Sequence, residues 1–192
     1  EYNEKNELNL LWKFFSKNQD LKKIIKPDNL NLLKIINNED NFKMWYWINP
    51  VHLNKDIIEN NYNDYKNKIY GIKFHQYWHN FDLNQILSNQ DFYIKFNIPI
   101  YIILGYNKPN QLEHFLKNNK FKKIVFGYGG FPMFERAWRL INKYSNCYVD
   151  VASNHIDIKI INNLIKKIDI KKIIFSSDCP YNFQNSENIF DY

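Results

Sequence analysis

Six short apolar runs recur along this sequence at a nearly constant interval. They begin near residues 42, 70, 98, 122, 147 and 171, so that successive starts are 28, 28, 24, 25 and 24 residues apart. An interval of this size accommodates one strand, one helix and the turns that join them. The recurrence therefore predicts consecutive strand–helix units, which require parallel strand pairing and right-handed crossovers.

The segments between the runs are amphipathic and of helical length, near 57–67, 83–96, 111–119, 133–144 and 156–168. In the last of them, one apolar face is predicted from Ile156, Ile160, Ile161, Leu164, Ile165 and Ile168. Before the first run, residues 1–41 are predicted to be helical. Their apolar stripes are Leu8, Leu11, Trp12 and Phe15, then Leu30, Leu33 and Ile36 after a capping Asp28.

Six strand–helix units fit either an open doubly wound sheet or most of a (β/α)₈ barrel. A dinucleotide-binding open sheet places a glycine-rich turn after its first strand, but the first run here ends in Ile48-Asn49-Pro50. The barrel is therefore favoured. We predict an α/β, TIM-like barrel formed by a single domain over residues 1–192, with the βα repeats in 42–183.

Composition and charge argue against a membrane or a nucleic acid as the partner of this chain. No apolar run approaches the roughly 18 residues that cross a bilayer, and Glu1–Lys5 has no signal-peptide core. A cytoplasmic location without a membrane partner is the expectation. The net charge of +6 comes almost entirely from scattered lysine, with arginine only at Arg136 and Arg139. Nucleic-acid-binding surfaces usually cluster these residues, so no nucleic-acid partner is predicted.

Five segments carry a resemblance to a known family. They are Tyr46–Pro50, Gly71–His75, Ile124–Pro132, Asn146–Ser153 and Ile173–Pro180, and the last is the most specific. In this order they resemble the metal-dependent amidohydrolase-related TIM barrels, which include the aminocarboxymuconate-semialdehyde decarboxylase type. The resemblance covers residues 42–183. It implies that the six runs are the third to eighth strands of such a barrel, with the first two missing or replaced.

The resemblance also implies a metal site of which little remains. The family holds a divalent metal such as zinc with a His-x-His pair on the first strand, histidines that end the fifth and commonly the sixth strand, and an aspartate that ends the eighth. Asp178 matches the aspartate, but Gly105 and Gly127 stand at the two later histidine positions, and the chain has no His-x-His. A catalytic zinc needs about three protein ligands, so weak or no metal binding is predicted.

Asp178, His75 and Lys73 are the candidate catalytic residues. Together, His75 and Asp178 supply only two metal ligands, and the spacing of His75 and His79 at a strand end has no defined geometry. Lys73 could act as a base of lowered pKa. The alternative, an ion pair of Lys73 with Asp178 or another carboxylate, is favoured because burying either charge alone is costly.

The loop Gly127-Tyr128-Gly129-Gly130 is the candidate ligand-binding element, together with Asp150 on the fifth run. Three glycines after a strand could present N–H groups to a phosphate or carboxylate. A tight strand-to-helix turn explains the same residues. Asp150 is expected to be an inward polar residue of the kind that the family carries.

Two functions follow from these residues. The first is a degenerate barrel, a pseudoenzyme or subunit that binds a small-molecule or peptide ligand at the barrel mouth. The alternative is an active metal-dependent hydrolase or decarboxylase whose altered or partner-completed site uses Asp178. A six-stranded parallel sheet also leaves edges to cover, so residues 1–40, a missing segment or a homo- or hetero-oligomeric partner is expected to close it.

Overall fold

The structure, a computed structural model, describes residues 27–105, 107, 110–152 and 156–178. Over these residues six strands alternate with helices. The strands are β1 (Met44–Ile48), β2 (Ile69–His75), β3 (Ile100–Ile103), β4 (Ile124–Phe126), β5 (Cys147–Asp150) and β6 (Ile173–Ile174). The α-helices are α1 (Asn29–Ile36), α2 (Lys55–Tyr65), α3 (Gln76–His79), α4 (Leu83–Ser88), α5 (Gln90–Ile94), α6 (Gln111–Asn118), α7 (Phe134–Lys143) and α8 (Ile158–Lys167). None of these helices has the length and apolarity to cross a bilayer.

The six strands form one parallel sheet in the order β1-β2-β3-β4-β5-β6. Each strand therefore lies beside the strand that follows it in the chain, whereas a doubly wound sheet reverses its order at a switch point. Crossovers of one hand then place all connecting helices on one face. The prediction of an α/β fold with parallel strands is confirmed. The sequential order is compatible with a barrel-like wall, but within the described segments β6 pairs only with β5, so the sheet is open.

The core lies between the sheet and its helices. Two rows of side chains run across the strands on this face, and every member is at most 5% exposed. The rows are Tyr46, Ile72, Ile100, Ile124 and Cys147, and then Ile48, Phe74, Ile102, Phe126 and Val149. Burying a large apolar side chain of this kind contributes roughly 1.5–3 kcal/mol, so these rows dominate the stability of the fold.

The opposite face of the sheet is only half covered. Its central row crosses five strands and contains Trp47, Lys73, Tyr101, Val125 and Tyr148. All of these except Val125 are partly exposed. We call this surface, with Trp45, Trp47, Lys73, Tyr101 and Tyr148, the open face. In a closed barrel the same positions would point into the interior.

Helix α1 covers part of the β1 edge through one side chain. The Nδ2 of Asn29 donates to the carbonyl oxygen of Trp47 at 2.7 Å, and the N–H of Trp47 donates to Oδ1 of Asn29 at 2.9 Å. A neighbouring strand would use the same two backbone groups. Of the expected ways to cover the edges, a contribution from residues 1–40 is thus observed at this position. Residues 1–26, with the first predicted stripe, lie outside the described part.

The last strand differs from its prediction. The last apolar run, which begins near residue 171, is predicted to form a strand, but only Ile173–Ile174 pairs, and Ile174 and Phe175 are 39% and 85% exposed. The reason is that β6 lies at the sheet edge with a neighbour on one side only. Ile165 on the adjacent α8 is also exposed, so the predicted apolar face of that helix is wrong at this residue.

Two helical predictions need smaller corrections. Leu30 was predicted to face the core but is exposed, whereas Leu33 and Ile36 are buried and Asp28 caps α1 as expected. The single helix expected over 83–96 is two helices, since α4 ends at Ser88 and α5 starts at Gln90. A capping box formed by Asp82 and Gln85 fixes the start of α4.

Candidate functional site

Asp150 is the centre of a polar cluster at the carboxyl end of the open face. Its Oδ2 accepts a hydrogen bond from the hydroxyl of Tyr101 at 2.7 Å, and its Oδ1 accepts from the N–H of Tyr128 at 2.7 Å and of Ala152 at 3.4 Å. The residue is 2% exposed. Three strands meet here, because Tyr101 lies on β3, Tyr128 follows β4 and Asp150 ends β5.

Burial controls the ionisation of this cluster. It raises the pKa of Asp150 from 3.8 to about 6, and the nearby charge of Asp178 acts in the same direction. The bonds from Tyr101, Tyr128 and Ala152 oppose this rise because they favour the ionised form. The pKa of Tyr101 is raised too, first by burial and then by the charge of Asp150. Tyr101 therefore remains a hydrogen-bond donor to the carboxylate.

Three N–H groups of the glycine loop donate hydrogen bonds within the chain. Gly127 donates to the carbonyl oxygen of Ile102 at 2.9 Å, Tyr128 donates to Asp150, and Gly130 donates to the carbonyl oxygen of Gly127 at 3.0 Å. The loop thus does bind a carboxylate, which is the side chain of Asp150. Gly129 and Gly130 have φ values of 64° and 84°, as expected for the alternative reading of these residues as a tight turn.

Gly127 lacks a side chain because Tyr101 occupies the adjoining space. Its φ of −72° suits any residue, so backbone conformation does not require glycine here. A Cβ built on Gly127 would lie 2.6 Å from Cζ of Tyr101 and would overlap its hydroxyl oxygen as well. The same arrangement occurs on β2, where the ring of Trp45 fills the space that a side chain at Gly71 would occupy.

At Gly105 the adjoining space belongs to Gln76. The N–H of Gly105 donates to Oε1 of Gln76 at 2.9 Å, and a Cβ on Gly105 would lie 3.3 Å from Cγ of Gln76. The Nε2 of Gln76 donates in turn to Oδ1 of Asn107 at 2.8 Å and to the carbonyl oxygen of Phe81 at 3.0 Å. At both positions where the resemblance predicts a histidine in the family, a Cβ would therefore meet close neighbours: side-chain atoms of Tyr101 at Gly127, and the backbone of Gln76 and Tyr77 with Cγ of Gln76 at Gly105.

Lys73 projects into the open face between aromatic rings. Its Nζ lies 5.4 Å from the ring centre of Trp47 and 5.8 Å from that of Tyr101. Burial lowers its pKa, and the charges of Asp178 and Asp150 oppose that shift. The expected direct ion pair is absent, since no described carboxylate forms a salt bridge with Lys73. The two aspartates act on it through space, and the aromatic rings provide its contacts.

His75 precedes one helical turn and His79 is its last residue, contrary to the expectation of an undefined geometry. His75 caps the short helix α3, and its Nδ1 accepts a hydrogen bond from the N–H of Trp78 at 3.3 Å. The rings of His75 and His79 lie 5.8 and 5.3 Å from the ring of Trp47. Burial, followed by the charges of Lys73 and His79, holds the pKa of His75 well below 6.5, so this histidine is neutral near pH 7.

Asp178 lies at the carboxyl end of the sheet, four residues after the last paired residue of β6. It has a φ of 51° and is partly buried, and its Oδ1 accepts from the hydroxyl of Tyr128 at 3.3 Å. Over the described ranges, no three His, Cys, Asp or Glu side chains are grouped as metal ligands. With Tyr101 filling the space beside Gly127 and Gln76 bonded to the N–H of Gly105, the described residues do not fit a metal site of the kind that the resemblance implies.

Several residues of the open face and of the adjoining carboxyl end of the sheet were not predicted from the sequence, namely Tyr101, Trp45, Trp47, Gln76 and Asn107. Strand alternation would have identified three of them. Once Lys73 is assigned to the inward face, the aligned positions Trp47 and Tyr101 on the neighbouring strands face the same way, and Trp45 lies two residues earlier. Gln76 and Asn107 lie in connections, where no periodicity indicates direction.

A separate polar depression of about 600 Å³ lies at the amino ends of β1 and β2, away from this cluster. It is lined by Asn37, Asp40, Lys43, Lys66 and Lys68 among others. Lys68 is already used there, because its Nζ donates to the carbonyl oxygen of Glu39 at 2.8 Å. The candidate site remains the carboxyl end of the open face.

Comparison with known proteins gives no assignment. The sequence matches no protein-family model, and no curated protein is significantly similar to it. The resemblance to the amidohydrolase-related barrels rests on the five segments given above and stays a prediction.

Proposed function

We propose that this chain is an amidohydrolase-related barrel protein with a degenerate metal site, which acts by binding a small-molecule or peptide ligand on its open face. One observation carries the proposal. The side chain of Tyr101 takes the space beside Gly127 and donates to Asp150. A histidine at position 127 would need the volume that Tyr101 fills. A metal-binding histidine at this position is therefore incompatible with the hydrogen bond between Tyr101 and Asp150.

The open face has the composition of a ligand site. Ligand sites combine apolar and aromatic walls with a few polar groups that fix orientation. Here the walls are the partly exposed rings of Trp45, Trp47 and Tyr148, and Lys73 and Asp178 are the polar groups. Stacking on such a ring contributes about 0.5–1.5 kcal/mol beyond the area that it buries.

Binding can be tested with 1-anilinonaphthalene-8-sulfonate, a planar fluorescent anion. We expect saturable binding that Trp47→Ala weakens by up to about tenfold, which corresponds to the loss of one stacked ring. Phe175→Ser is the matched control, because it removes an exposed ring that lies outside the open face. Equal weakening by both variants, or no binding at all, would contradict a ligand site at this face.

The second candidate is a metal-dependent hydrolase or decarboxylase completed by a partner chain. The position of Asp178 at the carboxyl end of the sheet favours it, because parallel α/β sheets carry their active sites there. Elemental analysis of protein purified without chelator separates the two candidates. One tightly bound zinc or manganese per chain that is lost in Asp178→Asn would support the second and overturn the first.

A further inference from the structure

The amine of Lys73 projects into the open face without a polar partner among the described residues. It forms no hydrogen bond and no ion pair with any described residue, and its contacts are the rings of Trp47 and Tyr101. A buried lysine ordinarily gains a carboxylate partner because an unpaired buried charge is costly. Lys68 has such a partner, since its Nζ lies 4.0 Å from Oδ1 of Asp40 and also donates to the backbone carbonyl oxygen of Glu39 at 2.8 Å.

The surroundings of Lys73 are largely apolar. Its side chain is partly buried, its amine lies between two aromatic rings, and no described carboxylate forms a salt bridge with it. A desolvated lysine of this kind is a nucleophile towards carbonyl carbon. The aromatic rings on either side would hold a planar carbonyl compound by stacking.

We propose that Lys73 binds aldehyde or ketone ligands covalently, as a reversible imine. This inference rests on the proposed function, since it names the ligand class of the same face. It requires no metal and no redox partner. The geometry that supports it is an amine without an ion pair, placed between two aromatic rings on the accessible side of the sheet.

The chemical step balances without a further reagent. The lone pair of the Lys73 nitrogen forms a bond to the carbonyl carbon, the C=O π pair moves to oxygen, and a proton passes from nitrogen to that oxygen. Solvent protonates the resulting hydroxyl, which leaves as water while the nitrogen lone pair forms the C=N bond. The nitrogen then returns its remaining proton to solvent, so the net products are the imine and one molecule of water. Water reverses the sequence.

Reductive trapping tests the proposal. The intact protein is treated with benzaldehyde and sodium cyanoborohydride, and the modified fraction of each lysine is followed by peptide mass spectrometry. We expect Lys73 to react about tenfold faster than the paired Lys68, a difference of only about 1.4 kcal/mol in activation free energy. Exposed Lys66 serves as a second reference. Trp47→Ala should slow labelling at Lys73 and leave Lys66 unchanged.

Lys73→Arg separates the covalent inference from the proposed function. It keeps the charge and the contacts with the rings but removes the nucleophile. Loss of the label with unchanged thermal unfolding is the expected result. If Lys73 is labelled no faster than Lys66 and Lys68 while that dye still binds at Trp47, the imine is wrong and the binding face stands. If neither probe responds to Trp47→Ala, both proposals fail.

Discussion

The candidate site of this chain is defined by how a few side chains pack at the carboxyl ends of the strands. Asp150 is buried, ionisable and held by three donors, and Tyr101 both supports it and fills the volume beside Gly127. A group that a ligand would otherwise contact is therefore bound by the protein itself. The consequences can be measured one residue at a time.

The raised pKa of Asp150 predicts a specific pH dependence of stability. Folding shifts this pKa from 3.8 to about 6, so the folded chain holds the proton more tightly and the contribution of Asp150 to stability is lost as pH rises through 6. For Asp150 alone, the free energy of unfolding should fall by about 2 kcal/mol between pH 4.5 and 7.5.

Urea unfolding at these two pH values checks this expectation. Asp150→Asn should show the larger destabilisation at pH 4.5 and a smaller one at pH 7.5, because the wild-type residue is more favourable in its protonated form. Asp64→Asn, a change at an exposed carboxylate, is the control and should be equally small at both. A destabilisation that is greater at pH 7.5 would contradict the assignment.

Gly127→Ala should destabilise the fold through overlap with Tyr101. The backbone at residue 127 suits alanine, so the cost comes from overpacking, about 1–3 kcal/mol. In a Tyr101→Ala background the same substitution should cost less than about 0.5 kcal/mol, because the space is then vacant. A double-mutant cycle by urea unfolding measures this coupling, and additive effects would argue against the overlap.

The helices pack on a sheet whose two faces differ in how deeply their side chains are buried. The helix-facing rows are fully buried, whereas the open face carries half-exposed aromatic side chains. The two edges also differ. Helix α1 covers part of the β1 edge through Asn29. Strand β6 has only two paired residues, and Phe175, which follows them, is exposed. Edge protection is therefore a property of α1 that a single substitution can remove.

Asn29→Ala should expose the β1 edge at Trp47. Two hydrogen bonds to partly buried backbone groups of Trp47 are lost, and the expected destabilisation is about 1–3 kcal/mol. Asn31→Ala, an exposed substitution on the same helix, is the matched control and should change stability little. Chemical denaturation measures both, and equal effects of the two variants would contradict a special role for Asn29.

At the scale of the whole molecule, the described sheet is an open wall and not a closed cylinder. Its β6 side exposes apolar side chains on the strand, on the preceding turn and on α8, namely Ile158, Ile165, Ile170, Ile174 and Phe175. Exposed apolar residues beside an unpaired edge favour association with another chain. The expectation that a partner contributes to closure belongs to this side of the sheet.

Phe175→Lys should therefore reduce self-association. Size-exclusion chromatography with light scattering measures the mass over a range of protein concentrations. We expect the unmodified chain to gain mass with concentration and the variant to remain closer to one chain, because a charge at the edge opposes pairing. Ile57→Lys, on exposed α2, is the control. A compact monomer at every concentration for the unmodified chain would count against closure by a partner.

The sequence alone determined the number and order of the strand–helix units. Hydrophobic spacing is local information, and the observed elements follow it closely except in two respects. The helix expected over 83–96 is divided into α4 and α5, and at β6, Leu30 and Ile165 the burial predicted from an apolar pattern had no neighbour to supply it. Motif comparison located Asp178, Gly105 and Gly127. It did not indicate what fills the space beside the glycines, because a missing side chain leaves no signal about its replacement.

Only the tertiary structure decided the composition of the site. Register across parallel strands placed Trp47, Lys73 and Tyr101 in one row, although they are distant in the chain. It also brought the Asp150 carboxylate to the N–H of Tyr128, so the predicted anion-binding loop binds a group of its own chain. Periodicity specifies which face a residue takes, and long-range packing specifies what it meets there.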